Sequence, residues 1–204
     1  MEDAVTAILE RPMTTGFDAL LRTTEELDTP DGFKAELIRG KILVSPWSSP
    51  FYKLQMRSLR LQLAAHVPEG HDADTIPFLF SFASSERAYG PDLHVADLAA
   101  FRGNARHVDG DALSLVAELT SVSTRDVDWQ EKLEVYGRPV PVYLVLDMQA
   151  EEITAFWDPS DHGYRARTTV PFGKPLPIPA PFGFDLDTSE FIVPEESEED
   201  DAAE

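Results

Sequence analysis

Cysteine is absent from the 204 residues. That excludes disulfides, thiolate-bound zinc, iron–sulfur clusters and thiol nucleophiles. Histidine is scarce: His66, His71, His94, His107 and His162 form no HxH or HxxxH pair, so any metal site is expected to use oxygen ligands. No run approaches the roughly 20 apolar residues that a bilayer-spanning helix needs. The acidic start, "MEDAVTAILERPM", lacks the basic n-region of a secretory signal. These absences lead to the expectation of a cytoplasmic protein. Basic residues are also few, with 17 Lys and Arg against 37 Asp and Glu and a net charge of −20. A broad basic face for nucleic acid is thereby excluded, and any such site must be a local patch.

What is present suffices for one sizeable core: 43% hydrophobic residues, including 12 Phe. The last ten residues, "EESEEDDAAE", hold seven of the acids, and like charges that cannot be buried predict a disordered tail. We therefore expect an extension over 1–16, a single domain over 17–193 and an acidic tail over 194–204. Within the domain, "FDALLRTTEEL" (17–27) predicts a short amphipathic helix, and "FKAELIRGKILVSP" (33–46) two strands about an Arg39-Gly40 turn. Residues 51–67 predict a long helix and 72–82 a strand, as does 91–98. "ALSLVAEL" (112–119) and "VYLVLD" (142–147) are apolar enough for central strands, with a helix over 124–136 between them, capped by Ser123 and Asp126 and closed by Gly137. "EITAFW" and "YRARTTV" predict a hairpin, and the five prolines of 171–183 a stiff extended edge or arm. The order gives an α/β or α+β domain, a mixed β-sheet flanked by helices.

Three of these short strands carry an awkward acid. Glu118 interrupts 112–119, Glu36 interrupts "KAELIRGK", and Asp92 follows Pro91 at the entry to 91–98. An unpaired carboxylate in such a place costs several kcal/mol unless a cation meets it. At 100° per residue, Trp129, Leu133 and Tyr136 define the packed face of the helix, and Lys132 stands at its edge. A metal ion or this ammonium could satisfy the acids.

The segments "AELIRGKILVSP", "GPDLHVAD" and "AELTSVSTRDVDWQEKLEVYGRPVPVYLVLD" resemble the Uma-two family of restriction-endonuclease-like proteins, within the PD-(D/E)XK nuclease superfamily, from about Phe17 to Val193. The resemblance implies a restriction-endonuclease-like fold and a metal-dependent endonuclease acting on DNA. It implies that Asp92 and Glu118 are the motif acids holding Mg²⁺ (or Mn²⁺), with Glu36 a further acid of the site. Thr120 stands where the superfamily usually has lysine, and Lys132 matches the lysine moved to the next helix. A histidine common after the "SP…SP" turn is missing here, where the chain reads Phe51, Tyr52 and Lys53. Double-strand cutting and the proline-rich arm together point to a homodimer.

Other readings stand beside these. Lys132 could be a solvated partner of Asp128, and the fold could serve as a catalytically silent binding or regulatory protein. Lys53, Arg57 and Arg60 recur at i, i+4 and i+7 on one helix face and could contact phosphates, although such a stripe is more often simply solvated. Trp47, Trp129 and Trp157 read as core or interface, and His94 as a neighbour of Asp92 on the same strand face.

Overall fold

The computed structural model describes residues 7–9, 16–46, 52–120 and 127–192, with backbone only for 7–9, 127 and 128. The caps at Ser123 and Asp126, the side chain of Asp128, Trp47, Phe51 and the acidic tail lie outside it. No helix among the described residues is long and apolar enough to cross a membrane.

The α+β class expected from the sequence holds, with the strands divided between two six-stranded sheets. The first has the order β1 (Ala7–Leu9), β3 (Lys41–Pro46), β2 (Phe33–Ile38), β6 (Arg87–Tyr89), β5 (Leu79–Phe82), β8 (His107–Asp109). The second runs β12 (Ala166–Pro171), β11 (Glu152–Trp157), β10 (Val142–Asp147), β9 (Leu113–Thr120), β7 (Leu93–Asp97), β4 (His71–Asp74). β1 falls within the stretch expected to be an extension, and it pairs with β3.

The β2–β3 hairpin forms as the sequence suggests. Arg39 (φ 48°) and Gly40 (φ 70°) are both left-handed, the pair of conformations that a two-residue type I′ turn requires. The segment 72–82, expected as one strand, is two strands in different sheets. Pro77 removes a ladder donor, and Asp74 Oδ1 accepts from the backbone N–H of Thr75 (2.7 Å) and Ile76 (3.2 Å), turning the chain there.

Three apolar clusters hold the layers. Helix α2 (Lys53–Ala64) buries Leu59 and Leu63 against Leu115, Ala117 and Leu119 on one face of the second sheet. Val116, Tyr143 and Phe156 on its other face meet Phe80, Phe82 and Tyr89 of the first sheet. Helix α1 (Phe17–Glu26) covers the far side of the first sheet through Leu21 against Leu37, Ile42 and Ala88. Side chains alternate along β9 from 115 to 119, with Leu115, Ala117 and Leu119 towards α2 and Val116 between the sheets. Leu113 moves to the inter-sheet side because the ladder with β7 slips between Val95 and Ala96.

The proline-rich segment is not an arm. β13 (Leu176–Ile178) pairs with β14 (Phe184–Leu186), and Leu176, Ile178, Phe182 and Leu186 are buried in the α2-side core. The apolar residues between the prolines supply enough buried surface to anchor it, so this segment lends no support to a dimer.

Residues 127–132 form a wide π-turn that leads into α3 (Leu133–Tyr136). The 100° wheel fails across that turn, and the buried residues are Lys132, Val135 and Tyr136, with Trp129 and Leu133 only partly covered. Gly137 ends α3 at φ −61°, so it is not there for left-handed backbone. A Cβ on it would stand 2.8 Å from the Leu133 carbonyl oxygen and 2.9 Å from Gly163 Cα. Gly137→Ala is expected to destabilise the fold by about 1–3 kcal/mol through overpacking, measured by urea unfolding. An unchanged midpoint would show that the two loops part freely.

Candidate active site

The expected acids converge. β2 delivers Glu36 from the first sheet, and β9 delivers Glu118 from the second. Asp92 lies one residue before β7. The antiparallel register Leu93–Ala117 continues to place it opposite Glu118, where paired side chains come within about 4.5–5.5 Å at Cβ. The π-turn that leads into α3 brings Lys132 over all of this. Glu36, Asp92, Glu118 and Lys132 are all buried.

Their contacts form a chain of alternating charge. Lys34 Nζ lies 3.5 Å from Asp92 Oδ1 and 4.0 Å from Glu36 Oε1. Lys132 Nζ lies 3.5 Å from the same Glu36 oxygen and 2.9 Å from Glu118 Oε1. Lys132 is therefore a buried partner of the site and not a solvated surface charge. Backbone groups fix two of the acids: Leu119 N–H donates to Asp92 Oδ2 at 2.9 Å, and Gly90 N–H donates to Glu36 Oε1 at 2.9 Å. The Gly90 carbonyl accepts from Lys34 Nζ at 2.7 Å, and Tyr136 OH donates to Glu118 Oε1 at 3.2 Å. Lys132 also stands 5.8 Å from the centre of the Tyr89 ring, within cation–π range.

Burial opposes charge here, and the partners win. It pulls the Lys34 ammonium down, but Glu36 and Asp92 outweigh it and leave its pKa raised. It pushes Glu36 up, but Lys132, Lys34 and the Gly90 N–H hold the carboxyl below its ordinary range. Burial, then Glu118, raises the Tyr136 phenol well above normal, so it remains a donor.

Sequence reasoning passed over Lys34 and Tyr136. Lys34 precedes Glu36 by two on the same strand, and period-two alternation alone puts both side chains on one face. Tyr136 follows Lys132 by four and shares its helix face. Lys53 and Arg57 are exposed on α2, with Arg60 half-buried, outside the ion-pair chain. Thr120 Oγ1 and the Tyr89 hydroxyl are buried without a hydrogen-bond partner among the described residues.

Among the described residues, no three carboxylate or imidazole groups stand ready to enclose a metal ion. The lysines interleave the acids. The donor set nevertheless suits a hard divalent cation, because Mg²⁺ is commonly held by one or two carboxylates together with waters and phosphate. Formally, three carboxylates face two ammonium groups, which leaves one negative charge to balance.

His94, the expected neighbour, packs its ring against Phe78, Phe80 and Phe101. Its burial there lowers the imidazole pKa to about 4, against the pull of Asp74 and Asp72. A histidine depressed below its unfolded value of about 6.5 stays neutral in the native state while the unfolded chain takes up a proton. Stability should thus fall as pH drops from about 6.5 and level off near 4, a loss of about 3 kcal/mol at most. His94→Phe is expected to flatten that part of a stability–pH curve, and an unaltered slope would place the titration elsewhere.

Comparison with known proteins bears on both fold and lineage. The crystal structure of "a putative nuclease belonging to DUF820" from Anabaena variabilis matches with a TM-score of 0.62 at 14% sequence identity. The match covers 86% of this chain and 96% of that one. Likeness at that identity speaks for the fold. No curated protein matches the chain. The Uma2 family model, described as "Putative restriction endonuclease", matches residues 21–189, a span that holds Lys34, Glu36, Asp92, Glu118 and Lys132. The chain belongs to that family.

Proposed function

We propose that the protein is a metal-dependent endonuclease that hydrolyses DNA phosphodiester bonds at this cluster. The observation that carries the reading is Asp92 opposite Glu118 on neighbouring strands, with Lys132 held 2.9 Å from Glu118. Like charges placed directly opposite destabilise a sheet unless a cation lies by them. Asp92 and Glu118 would hold Mg²⁺ (or Mn²⁺), with Glu36 a weaker contributor. The ion, when bound, supplies charge neutralisation at the phosphate and a more acidic water.

The chain's own residues supply the rest. Lys132 is fixed by two carboxylates and by the Tyr89 ring, so its ammonium is preorganised to donate to a phosphate oxygen as that oxygen gains charge. Tyr136 holds the Glu118 carboxylate in place, and Lys34 orients Asp92 and Glu36. In the reaction, a water oxygen bonds to phosphorus while the bond to the leaving oxygen breaks. The water gives up a proton and the leaving oxygen gains one. Lys53, Arg57 and Arg60 of α2 contact flanking phosphates. A homodimer would set two such sites on one substrate.

A silent binding protein of the same fold is the second reading, favoured by the lysines that already neutralise most of the acids. A cleavage assay with Mg²⁺ or Mn²⁺ separates the two: cleavage by the intact chain supports hydrolysis, and binding without turnover supports the silent form. Asp92→Asn and Glu118→Gln should each lose most of the Mn²⁺ or Mg²⁺ affinity in calorimetric titration, and parental affinity in both would move the metal elsewhere.

Lys132→Met should cost about 3–5 kcal/mol in denaturant unfolding, because it strands two buried carboxylates. Its cleavage rate should fall about 10²-fold or more where the protein remains folded. Lys132→Arg keeps the charge and so reports on placement alone. Full activity in folded Lys132→Met would remove Lys132 from the chemistry.

A further inference from the structure

Beside the acidic cluster lies a cleft of about 270 Å³ that hydrolysis alone does not account for. Its lining includes Phe33, Lys34, Pro77, Phe78, Gly90 and Arg106. Two of these, Lys34 and Gly90, also belong to the ion-pair chain, so the cleft and the site share a wall. Side-chain exposure falls inward along that chain, from 10% at Lys34 and 7% at Asp92 to 4% at Glu36 and Lys132 and 2% at Glu118. The cluster therefore opens towards Lys34 and Asp92, the side on which the cleft lies.

The lining has a definite chemistry. Phe33 and Phe78 are half-buried rings, and Arg106 is an exposed cation. Phe33 engages no other ring among the described residues. Glu25, an acid on the same wall, is tied to His107. Half-covered aromatic surface with cations at hand is what a nucleobase and its phosphate require, since bases stack on aromatic side chains with little regard to sequence. The volume lies just under the roughly 300 Å³ lower end of small-molecule pockets, and it has room for one nucleoside-sized group but not for a duplex. The net charge of −20 points the same way. A duplex presents one phosphate per about 1.7 Å of axis, a single strand about half that density. An acidic protein repels the first more strongly, and stacking is the affinity that charge does not oppose.

We propose that this cleft receives one unstacked nucleotide next to the scissile phosphate, so that the substrate is DNA with an unpaired nucleotide at the cut: single-stranded or bubble-containing, and not continuous duplex. The proposal rests on the nuclease reading and narrows its substrate class.

The test is fluorescence anisotropy of the full chain in EDTA, with three fluorescein-labelled DNAs of one sequence: a single strand, a perfect duplex and a duplex with a central unpaired bubble. Single strand and bubble are expected to bind about tenfold more tightly than duplex. Phe33→Leu and Arg106→Gln should each weaken single-strand binding several-fold while leaving the melting temperature unchanged. Phe33 is chosen over Phe78, whose ring packs against Phe101 and His94. Duplex binding equal to or tighter than single strand, no binding to any of the three, or cleft variants that bind as the parent does, would overturn the proposal. Parallel Mg²⁺ and Mn²⁺ cleavage separates the two ideas. Duplex cutting unaffected by the cleft variants defeats the cleft and leaves the nuclease. Cleft-dependent strand binding without cleavage defeats hydrolysis and leaves the cleft.

Discussion

The run of alternating charge from Asp92 through Lys34, Glu36 and Lys132 to Glu118 is the constraint on which this end of the molecule depends. Five ionisable groups taken out of water carry a desolvation penalty of several kcal/mol each, which only close mutual pairing offsets. Three structural units contribute to it: β2 of the first sheet, the β7–β9 pair of the second, and the π-turn before α3. None can shift without leaving a buried charge unpaired. The aromatic cluster of Phe82, Tyr89 and Tyr136 holds the sheets together beside it through dispersion and burial. The ion-pair chain adds direction, which apolar contact lacks, and so specifies the relative setting of the two sheets where the site forms.

The same pairing shapes what the site can do. Its ammonium groups are held by carboxylates and backbone before any substrate arrives, so their reorganisation cost falls on folding and not on the reaction. The lysines also neutralise much of the charge that would draw a metal ion. On the proposed reading, metal affinity and stability without metal would be opposed, with the residual formal charge of the cluster setting the balance. Tyr136 fits that economy, since a phenol kept protonated by burial steadies Glu118 without adding charge.

Several elements were legible because local chemistry decides them. The Arg39-Gly40 turn, the apolar β9 and β10, and the acids embedded in β2 and β9 all follow from pattern and turn residues. Other elements were not. Asp74 and Pro77 split one apolar stretch into strands of different sheets, a break whose consequence appears only when each half finds its partner. The π-turn over 127–132 breaks the angular rule that had set Lys132 at the edge of its face. Lys34 stood in view beside Glu36, but it became a member of the site only once Asp92 arrived from another sheet.

By itself, then, the sequence determined which acids are embedded in apolar strands and which kinds of group could meet them. With no cysteine and no paired histidines, oxygen ligands remained, and carboxylates inside apolar strands had to meet cations because isolated buried charge is too costly. Tertiary structure alone decided which cation meets which acid, that Lys34 links Asp92 to Glu36 across two sheets, and that the site opens beside an aromatic cleft. Apart from Lys34 with Glu36 and Lys132 with Glu118, those contacts join residues 56 to 96 positions apart, from Lys34 with Gly90 to Glu36 with Lys132. Local propensity carries no information at that range; the packing of the two sheets supplies it.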